Sequence, residues 1–379
     1  MNIFKFKFKL FLVILVSLNI QNCLAVEATS QAETMLAELS IREASQPISS
    51  DPNWHYPKRI VLVSPVSESD MNPETVKSLK LAAGSAELSI IFDAEKDKEK
   101  IAIADVFLGR CTGVHTNMNN LRWVQHFSAG VENCIGKDII KDNNILLSNM
   151  KGVYGPGIAE HVVAMIFTFS RGLHQFQKQQ FQSSWDRSLG SSYPMMEVRG
   201  KTLLVVGLGG IGSEIAWRAN ALGMKVIATR NSSRDKPEYV EYVGFANEIS
   251  NLAKQADFIV NATPLTSSTR GLFNKEFFDV MKPSSYFINI GRGKSVITED
   301  LVVALKTGKL AGAGLDVVEP EPLPANHVLW QMPNVIITPH ISARSDLVMA
   351  RFWIFVRENL RRYVQGERLL NIVNIKKEY

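Results

Sequence analysis

A strand–turn–helix–strand unit at 201–234 constrains this chain more than any other stretch. It opens with an apolar, β-branched run at 202–206, which reads as a buried strand. Gly207, Gly209 and Gly212 follow in the spacing G-x-G-x-x-G, with Gly210 and Ile211 between them. Ile211, Ile215, Ala219 and Leu222 then recur at helical spacing, Gly223 stops the helix, and a second apolar run at 225–229 completes a β-α-β unit. Such a unit needs glycine at each of the three points. The first permits the tight turn, the second lets a pyrophosphate approach the backbone, and the third lets helix and strand pack closely. The helix N-terminus then offers free N–H groups and a partial positive charge to phosphates. The stretch is therefore read as a dinucleotide-binding unit.

The end of the second strand bears on which dinucleotide. An acidic residue about twenty positions beyond the glycines takes the ribose hydroxyls of NAD. Here the strand runs into Thr229 and Arg230, then Ser232, Ser233 and Arg234, and Asp235 comes only after them. Two guanidiniums with hydroxyls between them suit a 2′-phosphate through charge-assisted hydrogen bonds. The expectation is NADP in preference to NAD, with Arg230, Ser232 and Arg234 as the recognising residues.

The chain has 379 residues, room for two domains. Its first 25 residues differ from the rest. Lys5, Lys7 and Lys9 precede an apolar run at 10–18, and Cys23-Leu24-Ala25 resembles a cleavage site. That is the layout of a secretory signal peptide, and the run is short for a membrane span. The protein is expected in a secretory compartment or the periplasm, the alternatives being a cytoplasmic protein or one tethered to a membrane by an uncleaved leader. Loss of those three lysines lowers the formal net charge from +5 to +2, so nothing points to a nucleic-acid surface. Two cysteines remain, Cys111 and Cys134, too few for a disulfide framework and expected as buried free thiols.

Residues 26–57 are polar, carry Pro47, Pro52 and Pro57, and read as a linker or a short surface helix. Strand-like runs follow at 60–64, 88–92, 106–109 and 123–127, and after the glycine unit at 257–262, 286–290, 312–317 and 335–338. With helical stretches between them they predict an α/β fold with parallel sheets. Residues 181–199, with Trp185 and Tyr193, show no clear period and read as an excursion. An amphipathic stretch at 346–364 ends before Gly366 and predicts a helix.

Three segments close strands of the glycine-fingerprint sheet with polar residues: Ile288-Asn289-Ile290-Gly291-Arg292-Gly293; Leu315-Asp316-Val317-Val318-Glu319-Pro320-Glu321; and Thr338-Pro339-His340. Ligands bind at such strand ends. Together with FSAGVEN at 127–133, GVYGPGIAEH at 152–161, GLGGIG at 207–212 and NATPLTSSTRGLF at 261–273, they make a pattern that resembles the D-2-hydroxyacid dehydrogenases, the glyoxylate/hydroxypyruvate reductases above all. The resemblance runs from about Arg59 to the C-terminus. It implies two Rossmann-like, doubly wound parallel-sheet domains. A substrate domain at 58–150, rejoined by 345–379, would flank an inserted NAD(P)-binding domain at 151–344, after a signal peptide at 1–25 and a linker at 26–57. It also implies a homodimer formed mainly through the cofactor domains; Trp185 lies in the excursion that in related reductases reaches toward the partner's site, and is expected either to restrict substrate size or to pack at the dimer interface. Position by position it makes His340 the general acid, Glu321 its carboxylate partner, and Arg292 the substrate-binding arginine. Asp316 becomes the contact to the nicotinamide carboxamide, Thr263 and Pro264 cofactor-binding residues, and the backbone of Ala129 and Gly130 the cradle of the substrate carboxylate.

The chemistry asks for these residue types independently. Hydride transfer to a 2-oxo acid leaves negative charge on an oxygen that must receive a proton. A histidine supplies one near neutral pH, a carboxylate favours its imidazolium, and an arginine holds the substrate carboxylate and the developing oxyanion. The expected activity is NAD(P)H-dependent reduction of a small 2-oxo acid to the D-2-hydroxy acid, with no metal. The alternatives are a phosphite-type dehydrogenase on the same fold and a dinucleotide-sensing protein without turnover.

Overall fold

The computed structural model describes residues 32–379 apart from 36, 40, 143 and 144. The expected leader at 1–25 lies outside the described residues.

The apolar runs from Arg59 onward form two sheets. β1 (Arg59–Val63), β2 (Glu87–Ile91), β3 (Val106–Gly109), β4 (Trp123–His126) and β5 (Leu146–Ser148) line up in the order β2-β1-β3-β4-β5. The second sheet takes β6 (Thr202–Val206), β7 (Lys225–Thr229), β8 (Tyr242–Gly244), β9 (Phe258–Asn261), β10 (Tyr286–Asn289), β11 (Gly312–Leu315) and β12 (Val335–Ile337) in the order β12-β11-β10-β9-β6-β7-β8. Every ladder is parallel. Parallel strands need crossover helices, which cover both faces, and so the central strands read as unbroken apolar runs. In the second sheet the strand order reverses beside β6, between β7 and β9. A crevice opens there at the carboxyl ends, and the glycine turn follows β6 directly.

Four of the described helices carry most of the packing against the two sheets. α1 (Pro73–Ala82) starts on Asn72, whose side chain accepts the Glu74 N–H at 2.8 Å. α2 (Gly155–Ser170) packs Ile158, Val162, Ile166 and Phe169 into the core of the seven-stranded sheet, beside α3 (Gly210–Ala221). α4 (Val348–Gln365) ends at Gly366, whose φ of 73° suits a left-handed cap. Its Phe352, Phe355, Leu360 and Tyr363 are buried with Ile60, Leu62, Leu79 and Trp123, so the last helix belongs to the core of the first sheet. Tyr363 stacks on Trp123 with ring centroids 4.6 Å apart. None of the described helices is long and apolar enough to cross a membrane.

Two expectations are corrected. The stretch at 26–57 is not a free linker where it is described. Met35, Leu39 and Ile48 enter the same core as α4. The Ala44 and Ile48 N–H groups donate to Leu369 O and Glu367 O, and the Trp54 indole donates to Tyr363 O. A few apolar residues among many polar ones carry no period, yet each full burial is worth about 1.5–3 kcal/mol. Cys111 and Cys134 are not free thiols but a buried disulfide. Pairing of β3 with β4 brings the turn after β3 beside the short helix Glu132–Ile135, and the two Cα atoms stand 5.2 Å apart, within bridging range.

Candidate active site

Each glycine of the turn answers to a measurable constraint. Gly207 has φ 101°, and a Cβ there would lie 2.8 Å from Ala262 O. A Cβ on Gly212 would lie 2.2 Å from Gly207 O, so only glycine lets α3 start this close to β6. Gly209 is different. A Cβ there would meet only the end of the Lys151 side chain, at 3.6 and 3.7 Å. Its outer side is therefore room for a ligand rather than for neighbouring protein.

That room is a cleft of about 300 Å³. Gly207, Gly209, Gly210 and Ile211 line it, with Thr229, Arg230 and Ser232 at the end of β7, Thr263 and Pro264 after β9, Ala129 and Gly130 after β4, and Arg292 after β10. Thr263 is fixed by Asn261, whose Oδ1 accepts both its N–H at 3.0 Å and its hydroxyl at 2.7 Å. Arg230 donates from Nε to Leu208 O at 2.9 Å, which holds its guanidinium beside the glycine turn. No aspartate or glutamate side chain lines the cleft among the described residues, whereas Arg42, Lys151, Arg230, Arg292 and Lys377 do. A strand–glycine–helix turn with an open flank, ringed by cations and free of acids, fits a polyanionic dinucleotide.

Arg234 does not take the place expected of it. Its guanidinium binds Glu248 Oε1 at 2.6 Å and Tyr242 Oη at 2.7 Å, and it lies over the Phe245 ring at 4.5 Å. The Phe245 N–H, the Tyr242 hydroxyl and this arginine hold the Glu248 carboxyl down to about 2. An acid fourteen residues away outcompetes the cleft for this cation, and of the two arginines that follow β7 it is Arg230 that faces the cleft.

A second cavity, of about 540 Å³, adjoins the first. Arg292, Glu321 and His340 line it together with Arg110, Glu132, Lys294 and Glu319, and Arg292 lines both cavities. His340 Nδ1 lies 2.5 Å from Glu321 Oε1, while Glu319 makes no such contact. The Arg292 guanidinium donates from Nε to Glu132 Oε1 at 2.6 Å and from Nη1 to Gly291 O at 2.7 Å. Burial pushes the Glu132 carboxyl up, but the charge and hydrogen bond of Arg292 outweigh it and leave a net lowering. Gly130 sits against this pair, and a Cβ on it would fall 1.8 Å from Arg292 Nη2.

His340 has φ 53°, a left-handed backbone rare outside glycine, so its surroundings must impose it. Asp316 contributes to this from beneath the loop. Only 2% exposed, it does not line either cavity. Its carboxylate accepts from the Thr338 hydroxyl at 2.7 Å, from the Ile341 and Ser342 N–H groups at 3.0 and 3.2 Å, and from the Ser342 hydroxyl at 2.5 Å. Its backbone carbonyl takes the His340 N–H at 2.9 Å. Burial raises its pKa, and these donors more than reverse that. With its oxygens bonded to 338–342, Asp316 anchors the histidine loop.

Sequence reasoning missed Glu132, Arg110, Lys151, Arg42 and Lys377. Glu132 sits inside the FSAGVEN motif, two residues after Gly130, which was a usable signal. The others come from connections and termini that only folding brings to the clefts.

The model for the NAD binding domain of D-isomer specific 2-hydroxyacid dehydrogenases matches residues 163–342. Glyoxylate/hydroxypyruvate reductase B of Escherichia fergusonii is 32% identical over 307 residues, 81% of this chain and 90% of that one. The chain belongs to the D-isomer specific 2-hydroxyacid dehydrogenase family. The human glyoxylate reductase/hydroxypyruvate reductase is 34% identical over 65% of this dehydrogenase and 75% of its own length. Among solved structures, a family member from Aeromonas salmonicida superposes with a TM-score of 0.71 at 31% identity, covering 84% of this chain and 99% of that one. The NADPH-dependent glyoxylate/hydroxypyruvate reductase of Sinorhizobium meliloti, in complex with NADP and sulfate, gives 0.70 at 26% identity over 85% and 100%. This dehydrogenase is accordingly an NAD(P)-dependent oxidoreductase acting on the CH–OH group of donors.

Proposed function

We propose that this dehydrogenase reduces a small 2-oxo acid of the glyoxylate/hydroxypyruvate type to the D-2-hydroxy acid, with NADPH preferred over NADH. The observation that carries the proposal is Arg292 at the junction of the two cavities, with the His340–Glu321 pair across the second one. The bound nicotinamide supplies the hydride. Arg292 keeps Nη2 for the substrate carboxylate or carbonyl oxygen while Glu132 and Gly291 hold the rest of its fork. Glu321 faces Nδ1, fixes the orientation of the ring and leaves Nε2 to deliver the proton to the developing alkoxide. The Ala129 and Gly130 backbone closes the carboxylate end, and Asn149 fixes it by donating to Ala129 O at 2.8 Å. Preference for NADPH follows from Arg230 and Ser232 in an acid-free cleft, and it agrees with the NADP-bound relatives.

In the same reading the protein is a homodimer. Exposed Leu173, Phe181 and Trp185, the last 94% exposed, cluster in and beside the 181–199 excursion and supply apolar contact area. The leader-like N-terminus and the buried disulfide both suit an oxidising compartment. The functional proposal is tested by steady-state kinetics with glyoxylate, hydroxypyruvate and larger 2-oxo acids, each with NADPH and NADH. Turnover of none of them, or equal use of NADH, contradicts it.

A further inference from the structure

Lys151 lies between β5 and α2, outside every glycine motif, yet the end of its side chain reaches the open flank of the glycine turn. A Cβ on Gly209 would meet its Cε at 3.6 Å and its Nζ at 3.7 Å, and one on Gly210 its Cγ at 3.6 Å. Its ammonium makes no hydrogen bond or ion pair among the described residues. The charged groups facing it are both cations: Arg42 from the N-terminal segment and Arg230 from the end of β7. Arg292 and Lys377 line the rest of the cleft, and no acidic side chain does. Burial first, then the two guanidiniums, lower its pKa to about 8. A partly buried amine without a counter-ion, held where the first N–H groups of α3 emerge, is an incomplete arrangement. A pyrophosphate at Gly209 would complete it, supplying oxygens within reach of the ammonium and the helix terminus.

We propose that Lys151 is a pyrophosphate-binding residue of the cofactor cleft, supplied from outside the glycine-rich turn. The inference rests on the dinucleotide reading of that cleft. Dinucleotide phosphates hold the ammonium charged, so its pKa rises on binding and a proton enters with the ligand. The sign follows: affinity weakens as pH rises above about 8, because the free protein then holds a neutral amine that must be protonated. At pH 8.5 roughly three-quarters of Lys151 is neutral beforehand, so about 0.7 proton is taken up per dinucleotide bound. Loss of one charge-assisted hydrogen bond weakens binding about 10- to 100-fold.

The test is calorimetric titration of the full chain with NADPH at pH 8.5, in two buffers of different ionisation enthalpy. The wild-type protein is expected to take up about 0.7 proton. Lys151→Gln should bind about 10- to 100-fold more weakly without uptake. Lys151→Arg, always charged, should keep affinity within about threefold and also lose the uptake. Wild-type binding without proton uptake, together with unimpaired binding by Lys151→Gln, overturns this inference alone. Absence of NADPH binding by the wild-type protein overturns the dinucleotide reading and this inference with it.

Discussion

Gly130→Ala is the sharpest perturbation the site offers, because a single methyl group would meet the guanidinium of Arg292. The added Cβ would start 1.8 Å from Nη2, 2.7 Å from Glu132 Oε2 and 2.8 Å from the guanidinium carbon. Restoring ordinary contact requires the guanidinium to retreat by about 1.5 Å or more. The atoms in the way are ends of side chains rather than backbone, so the fold survives and Tm should move by only a few degrees. The catalytic geometry should not survive. A misplacement of about 1 Å is worth on the order of 10²-fold in rate, and kcat/KM for glyoxylate should fall by at least that much, about 2.7 kcal/mol of transition-state stabilisation. The dissociation constant for NADPH, read by quenching of tryptophan fluorescence, should stay within about threefold of wild type. A variant with kcat/KM near the wild-type value would refute the claim that this contact positions Arg292.

Three other outcomes follow. His340→Ala should lower kcat by about 10²–10⁴-fold with NADPH binding nearly unchanged, measured by steady-state kinetics and fluorescence titration. Arg230→Gln should raise KM for NADPH about tenfold or more while leaving KM for NADH within about twofold, since it removes the only cleft-facing guanidinium beside Ser232 at the end of β7. Asp316→Asn should lower stability by about 3 kcal/mol, because it removes the charge from an acceptor bound by several buried donors. Asp316 has a depressed folded-state pKa. Its contribution is therefore complete above the ordinary aspartate value near 3.9 and lost as pH falls through the folded value. Denaturant melts should show the difference between wild type and Asp316→Asn at pH 7 and show it shrinking as the pH falls below about 4.

What was legible in the sequence were features with a period or fixed spacing. The glycine turn, most central strands and α4 follow from apolar runs and positive-φ positions, and Arg292, Glu321 and His340 converge because each closes a strand of one parallel sheet. β5 and β8 were not legible: each has three residues of mixed type, whereas the equally short β12 is wholly β-branched, Val335-Ile336-Ile337. Cys111 and Cys134 stand 23 residues apart, and only the pairing of β3 with β4 brings them together. Arg234 was read by its distance from the strand, which says nothing of the competing Glu248. Asp316 illustrates the same limit: its place in the motif was plain, but five donors folding back on it were not. Lys151 and Arg42 reach the cleft from segments without a motif, and long-range packing alone puts them there.

The central claim is that the two adjoining cavities bring a reduced dinucleotide and a short 2-oxo acid together at Arg292 and His340. Loss of NADPH absorbance on adding glyoxylate or hydroxypyruvate to the purified protein tests it most directly. The account predicts substrate-dependent oxidation of NADPH that is faster than that of NADH and collapses in His340→Ala. Tight NADPH binding without oxidation by either acid, or turnover untouched by His340→Ala, would contradict it.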